Sequence, residues 1–185
     1  MGVMEKRVIF KREDIDNSIQ RIAEEIVKKN SSMEDVVLVG IRTGGAYLAK
    51  RLQESIAQLN SQTPPAGVLD ITLYRDDWTR IGSAPIVGKT ELSFSIDDKT
   101  VVLIDDVLFT GRTIRAAMDA LMDFGRPKKI ELAILVDRGA SDRELPITAD
   151  YVGGVWSISH HETINVYLRE TGHKDQVTIE EKKAA

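Results

Sequence analysis

The residues that could carry chemistry are concentrated in one stretch near the middle of the chain. Residues 101–104 are consecutive apolar residues, a pattern typical of a parallel strand that is buried on both faces. Asp105 and Asp106 follow them directly. In a doubly wound α/β sheet, ligands bind at the carboxyl ends of the strands. The sequence therefore predicts that these two carboxylates lie in a ligand site.

The loop at residues 109–113 is suited to an anion. It contains two threonines and a glycine, and a helix is predicted to begin at about Ile114. The first N–H groups of a helix, together with its dipole, attract phosphate. Two acids beside such a loop suit a ligand with both a phosphate and a vicinal diol, because the hydroxyls can donate hydrogen bonds to Asp105 and Asp106. A ribose 5-phosphate has both groups.

Length and composition narrow the class of protein. A chain of 185 residues is most simply one domain with a substantial core. It contains no cysteine, which excludes a disulfide framework and a thiolate metal site. Residues 1–12 are charged, and no stretch approaches the roughly 20 apolar residues that cross a bilayer, so a cytoplasmic protein without a membrane partner is expected.

The hydrophobic pattern of the chain alternates between strands and helices. Short apolar runs predict further strands at residues 8–10, 36–41, 68–74, 130–136, 151–155 and 164–168. Apolar residues at helical spacing predict amphipathic helices that include Ile15, Leu48 and Ile114. This alternation is typical of an open, mostly parallel sheet with helices on both faces. Residues 75–98 show weak patterning and are predicted to form a long functional or mobile loop.

Three further turns follow predicted strands and carry polar or basic residues. The turn at residues 42–45 combines Arg42 and Thr43 with two glycines, whose backbone N–H groups can approach an anion closely. An alternative interpretation is a plain strand-to-helix turn that needs glycine for steric reasons. Arg75 begins the long loop, which is alternatively a solvated hairpin. An alternative interpretation of the turn at residues 136–139 is that its aspartate and arginine form an ordinary ion pair on the surface.

The stretch of residues 101–113 resembles the thirteen-residue signature of the type I phosphoribosyltransferases. The resemblance implies the α/β fold of that family, a mostly parallel open sheet flanked by helices. It implies one domain over residues 1–185, with a mobile lid at about residues 75–98 and a small C-terminal hood at about residues 151–170. It also implies phosphoribosyl diphosphate (PRPP) as a substrate and Mg²⁺ as a cofactor, held through the ligand near Asp105 and Asp106 and without dedicated metal ligands.

In the resembling family the paired acids hold the ribose 2- and 3-hydroxyls, the loop after them holds the 5-phosphate, and the lid covers the leaving diphosphate. The catalytic residues implied here are Arg75, Asp105 and Asp106. The PRPP-binding residues implied are Arg42, Thr43, Gly44, Gly45, Asp105, Asp106, Val107, Leu108, Phe109, Thr110, Gly111, Arg112 and Thr113. The residues implied for the base are Val136, Asp137 and Arg138.

Several segments are similar to uracil-specific members of this family that also regulate pyrimidine operons through mRNA. They include residues 70–77, 105–113 and 143–147. Uracil, PRPP and UMP are therefore the expected small-molecule partners, in a homodimer or larger homo-oligomer. Purine enzymes of the family usually carry an acid where Phe109 stands. Two alternatives stay open, namely a purine-type enzyme and an RNA-binding attenuator that senses UMP and PRPP with vestigial enzyme activity.

Binding of a pyrimidine leader mRNA would depend on basic side chains, because phosphate neutralisation supplies much of the affinity for RNA. The candidates are Arg21, Arg138 and Arg143. The first predicted helix also carries Glu24 and Glu25, which oppose a basic surface there. The net charge of −4 gives no general affinity for nucleic acid.

Overall fold

A computed structural model describes residues 6–77 and 88–182 of the chain. In chain order its helices and strands are β1 (Lys6–Lys11), α1 (Arg12–Lys29), β2 (Val36–Ile41), α2 (Gly44–Leu59), β3 (Ala66–Leu69), β4 (Thr100–Leu108), α3 (Arg112–Met122), β5 (Lys129–Asp137), β6 (Tyr151–Val155), β7 (Glu162–Tyr167) and β8 (Gln176–Glu181). The central sheet has the order β3-β2-β4-β5-β6, and each neighbouring pair is parallel. None of the described helices combines the length and apolar content needed to span a bilayer.

The two faces of the central sheet form two separate hydrophobic cores. Successive residues of β2 point to opposite faces, so that Leu38 packs in one core while Val37 and Val39 pack in the other. Helices α1 and α2 cover the first core, and α3 covers the second through residues such as Ile114 and Leu121. Because helices cover both faces, β2 is buried over its whole length and β4 over residues 101–105, as the continuous apolar runs predict.

A second, antiparallel sheet has the order β1-β8-β7. The hood that the family resemblance implies, at about residues 151–170, includes both β6 and β7. β6 pairs in parallel with β5 at the edge of the central sheet, whereas β7 pairs with β8. β8 was not predicted, because a strand of only six residues runs directly into the charged C-terminal tail. Its buried residues Val177, Thr178 and Ile179 are the part that packs.

The polar segment after β3 also differs from the prediction. The strand predicted at residues 68–74 ends at Leu69, because the Asp70 carboxylate accepts the backbone N–H of Thr72 at 3.0 Å and turns the chain into a short 3₁₀ helix at Thr72–Tyr74. Residues 78–87 of the predicted lid loop lie outside the described residues. Residues 88–98 are described, and Glu91 forms an isolated bridge with Val68.

The signature strand is longer than its apolar run. β4 continues through both acids to Leu108, because its pairing with β5 extends to the pair Leu108 and Asp137. Helix α3 begins at Arg112, two residues earlier than predicted. Asp105 and Asp106 are therefore held on paired strand backbone, which restricts their positions more than a loop would.

Candidate active site

Asp105 and Asp106 are largely buried near the carboxyl end of β4. The backbone N–H of Asp106 donates to Oδ1 of Asp105 at 3.0 Å, and that of Val107 donates to Oδ1 of Asp106 at 2.8 Å. Burial, followed by the neighbouring charge of Asp106, raises the pKa of Asp105 well above its ordinary value, and burial also raises the pKa of Asp106. A ligand that brings hydroxyl donors or a cation to this pair would favour its ionised form.

The loop between β4 and α3 has the form of an anion site. Gly111 adopts a left-handed conformation with φ of 92°, and its carbonyl accepts the N–H of Arg115 in the first turn of α3. A cavity of about 670 Å³, which we call the main cavity, opens at the start of α3. It is lined by Arg75, Asp76, Asp77, Val107, Leu108, Phe109, Thr110, Gly111, Arg112, Thr113, Ile114 and Glu144. All the predicted 5-phosphate loop residues thus border one open space.

A second cavity, of about 310 Å³, lies where β2 ends. Its lining includes Arg42, Thr43 and Gly44 together with both acids of β4. The peptide bond between Arg42 and Thr43 is cis. Nη2 of Arg42 donates to the carbonyl of Lys89 at 2.9 Å, which ties this turn to the far end of the long loop.

Gly45 differs from its neighbours in the same turn because it does not line this cavity. Its Cα packs against β4, where an added Cβ would lie 2.2 Å from the carbonyl oxygen of Ile104. Its role is to let the start of α2 approach β4, and this close approach brings Gly44 beside the acidic pair.

Arg75 connects the two cavities. It lines both of them, as do Val107 and Thr113. Its Nε and Nη2 donate to the Asp77 carboxylate at 2.8 and 2.7 Å, and this contact raises the pKa of Arg75. The structure thus brings the Arg42 turn, the acidic pair, the anion loop and Arg75 around one continuous site.

A phosphoribosyl transferase domain model matches residues 10–163 of the chain. A relative from Desulfosudis oleivorans named bifunctional protein PyrR is 52% identical over 95% of this chain and 97% of its own length. A PyrR protein from Clostridioides difficile is 50% identical over 97% of this chain and its full length. The chain belongs to the PyrR family of phosphoribosyltransferases. The predictions of this family and of its PyrR-type branch are confirmed.

Solved structures show the same fold. A hypoxanthine phosphoribosyltransferase from Staphylococcus aureus superposes with a TM-score of 0.68 at 24% identity, covering 92% of this chain and 90% of its own. A hypoxanthine phosphoribosyltransferase from Trypanosoma cruzi superposes with a TM-score of 0.72 at 16% identity, covering 98% and 94%. At these identities the likeness concerns the fold alone. The predicted type I phosphoribosyltransferase fold is confirmed.

In this PyrR family member, the turn after β5 was predicted to contact the base. Oδ1 of Asp137 accepts Nη2 of Arg143 and the N–H of Gly139, both at 2.7 Å, and Asp137 also lines a cleft of about 420 Å³ beside the main cavity. Val136 is fully buried in the core, so its side chain is not available for a base. The valine is buried because β5 continues through it as a central strand.

Arg138 is not the surface ion pair of the alternative interpretation. Only 3% of it is exposed, its Nε donates to Asp142 at 3.0 Å, and its guanidinium lies 3.8 Å from the centre of the Phe109 ring. Phe109 itself lines the main cavity and is partly exposed. Phe109 thus packs against a buried cation, a contact that the sequence alone does not reveal.

Two of the three arginines predicted to bind RNA have little exposed surface. Arg138 is buried as described, and the Arg143 side chain is only 10% exposed, with Nη1 donating to the carbonyl of Phe109. Neither is free to neutralise an RNA phosphate in this arrangement, because both are held by internal acceptors. Arg21 is half exposed and donates to the carbonyl of Gly153 at 2.6 Å.

Sequence reasoning missed two acids that line the main cavity. Asp76 and Glu144 both accept hydrogen bonds from Arg112, each at 2.6 Å. These contacts lower the pKa of Asp76 and raise that of Arg112. The three residues are more than 30 positions apart in sequence, so only the folded chain brings them together.

Proposed function

We propose that this chain transfers the phosphoribosyl group of PRPP to uracil and releases UMP and diphosphate. The observation that carries the proposal is the position of two buried acids beside an anion loop, in a site that also contains Arg75. The membership in the PyrR family supports it. A purine base is less favoured, because the cavity wall carries Phe109 where purine enzymes of the family usually carry an acid.

PRPP fits this arrangement with its groups divided between the two cavities. Its 5-phosphate would lie at the start of α3, where backbone N–H groups and the hydroxyls of Thr110 and Thr113 are available. Its ribose hydroxyls would donate to Asp105 and Asp106. Its diphosphate would extend into the second cavity, towards Arg42 and the neighbouring backbone of Thr43 and Gly44.

The reaction needs no protein nucleophile. The bond between the anomeric carbon of ribose and the diphosphate oxygen breaks, N1 of uracil forms the new bond to that carbon, and the N1 proton is released. Positive charge develops on the ribose as the bond breaks, and the ionised pair Asp105 and Asp106 stabilises it. Arg75 stabilises the negative charge of the leaving diphosphate. Positioning and electrostatics therefore supply the catalysis.

The residues present fit a Mg²⁺ ion held largely by the substrate. Asp105 and Asp106 offer the hard oxygen ligands that Mg²⁺ prefers, and the described residues contain no group of three or more metal-ligating side chains. Mg²⁺ bound through the diphosphate would neutralise part of its charge. The two acids would accept ribose hydroxyls or metal-bound water at the same edge of the site.

We also propose a regulatory interaction with pyrimidine leader mRNA, which the word bifunctional in the names of the relatives supports. Within the three arginines considered, Arg21 is the exposed one. Titration of the protein with leader RNA at two salt concentrations tests this function. Specific binding that Arg21→Ala weakens would support it, and equal binding to leader and scrambled RNA would contradict it.

The enzyme proposal is tested by diphosphate release from PRPP and Mg²⁺ with uracil, orotate, hypoxanthine or guanine. Turnover with uracil alone is the expected result. The double variant Asp105→Asn with Asp106→Asn serves as the control, because it keeps the shape of the site and removes its charge. Turnover with a purine, or with none of the four bases, would overturn the assignment to uracil.

A further inference from the structure

Helix α3 holds the chain around Arg75 at three separate points. Near the start of the helix, Nη1 of Arg112 pairs with Asp76 at 2.6 Å. One turn later, Nη2 of Arg115 donates to the backbone carbonyl of Tyr74 at 3.1 Å. Just beyond the end of the helix, Asp123 accepts a hydrogen bond from the Tyr74 hydroxyl. The whole length of α3 thus serves as a support for residues 74–76.

The middle contact acts most directly on Arg75. The Tyr74 carbonyl belongs to the peptide unit that joins Tyr74 to Arg75, so Arg115 fixes the backbone from which the Arg75 side chain projects. The neighbour on the other side, Asp76, is held by Arg112. Arg75 itself pairs with Asp77 through two hydrogen bonds. Its position on both cavities therefore depends on contacts made by its neighbours.

Stability alone does not account for the placement of Arg115. Its Nε is buried and has no hydrogen-bond partner among residues 6–77 and 88–182, an arrangement that opposes folding. Its remaining ion pair, with Asp119 four residues along the helix at 2.9 Å, is exposed and of the kind that contributes little. Arg115 donates to the carbonyl of Tyr74, which directly precedes Arg75. We therefore expect the loss of Arg115 to change chiefly the position of Arg75.

We propose that Arg115 is a positioning residue, which fixes Arg75 relative to the phosphate loop. Helix α3 begins at that loop and also contacts the chain at residues 74–76. The 5-phosphate site and the diphosphate site of one PRPP molecule are thus both supported by α3, which sets the distance between them. This inference rests on the proposed function, because it assumes that Arg75 meets the diphosphate.

The test measures binding at the diphosphate site and binding at the 5-phosphate site separately. Calorimetry measures the affinities of diphosphate with Mg²⁺ and of UMP for the wild-type protein, Arg115→Met and Arg115→Lys. Arg115→Met is expected to weaken diphosphate binding about tenfold, the scale of one charge-assisted hydrogen bond, and to leave UMP binding unchanged. Arg115→Lys keeps a cationic donor and is expected to recover part of the loss.

Asp119→Asn is the matched control, because it removes the ion pair of Arg115 and leaves its contact with Tyr74. It is expected to bind both ligands as the wild type does. If Arg115→Met is poorly folded, Arg115→Lys provides the comparison with the wild type, because it changes the same contact with the Tyr74 carbonyl. Equal losses for diphosphate and UMP, or no loss for diphosphate, would overturn the positioning role.

A failure of the proposed function gives a different result. If the wild-type protein binds diphosphate and UMP but does not convert uracil, the assigned reaction is wrong while the comparison of variants still decides the role of Arg115. Binding is measured without any base for this reason.

Discussion

Gly44 and the carboxylate of Asp106 occupy adjoining space, such that a Cβ atom on residue 44 would lie 2.3 Å from Oδ2 of Asp106. Gly44 begins α2, and Asp106 lies near the end of β4. The proposed diphosphate and ribose sites therefore meet at this contact. The absence of a side chain at residue 44 permits the acid to stand where the ribose is proposed to bind.

Gly44→Ala is accordingly expected to displace the Asp106 side chain and to lower kcat/KM for PRPP by at least about tenfold. Residue 44 has a right-handed or extended backbone, since it is not among the positive-φ glycines, so the fold should persist. Steady-state kinetics with varied PRPP, beside a thermal melt, measure the effect. A variant with unchanged kinetics would show that Asp106 does not need its present position.

Asp105→Asn is expected to raise stability at neutral pH while abolishing most of the activity. Because burial and Asp106 raise its pKa, Asp105 binds its proton more tightly in the folded than in the unfolded protein. The resulting stability is present below the unfolded pKa of about 3.8 and is lost as pH rises through the folded pKa. Asparagine does not ionise, so the variant does not lose this stability as the pH rises.

Thermal melts of the two proteins at pH 4 and pH 8 measure this difference. The melting temperature of Asp105→Asn should exceed that of the wild type more at pH 8 than at pH 4, by about 2–4 °C for each 1 kcal/mol. Asp105→Ala is a weaker comparison, because it also leaves a cavity. An equal difference at both pH values would argue against a raised pKa.

Arg51→Met is expected to destabilise the protein by about 3–5 kcal/mol, because it removes the guanidinium that pairs with a buried carboxylate. Arg51 on α2 is buried, and it donates to Glu170 at 2.8 and 2.6 Å and to Asp175 at 2.8 Å. The Asp175 side chain is almost fully buried. These contacts join α2 to the connection between β7 and β8.

Urea unfolding of Arg51→Met measures this loss, and Arg12→Met is its control. Arg12 pairs with Asp16 at 3.5 Å on the exposed face of α1, and such pairs contribute about 0–1 kcal/mol. Similar stabilities for the two variants would show that the buried network does not hold the second sheet in place.

Arg138→Met is expected to raise KM for uracil several-fold and to raise KM for PRPP less. The variant removes the cation that lies 3.8 Å from the Phe109 ring and thereby loosens one wall of the cavity. Initial rates with each substrate varied in turn distinguish the two constants. A larger effect on PRPP than on uracil would place the base elsewhere.

Most elements of the fold could be predicted from local pattern. β2 matches its predicted bounds, and the helices that contain Ile15, Leu48 and Ile114 are present. The error at residues 68–74 has a local cause, since the side chain of Asp70 ends β3 by bonding the backbone of Thr72. Apolar periodicity does not report such a contact, because it describes burial and not side-chain hydrogen bonds.

The chemistry of the central stretch could be predicted from local sequence, because Asp105, Asp106 and the loop up to Thr113 lie within nine consecutive residues. Strand, acids, loop and helix start are thereby placed together without help from the rest of the chain. This proximity is why a ribose phosphate site could be predicted from residue types and spacing.

The tertiary structure decided which distant residues complete that site. In the folded chain β1 pairs with β8, and β6 pairs with β5 in the central sheet. Arg138 packs against the Phe109 ring, and Arg115 donates to the carbonyl of Tyr74, 41 residues away. None of these contacts follows from periodicity, because strand pairing and helix packing fix them together only when the cores on both faces of the sheet are formed.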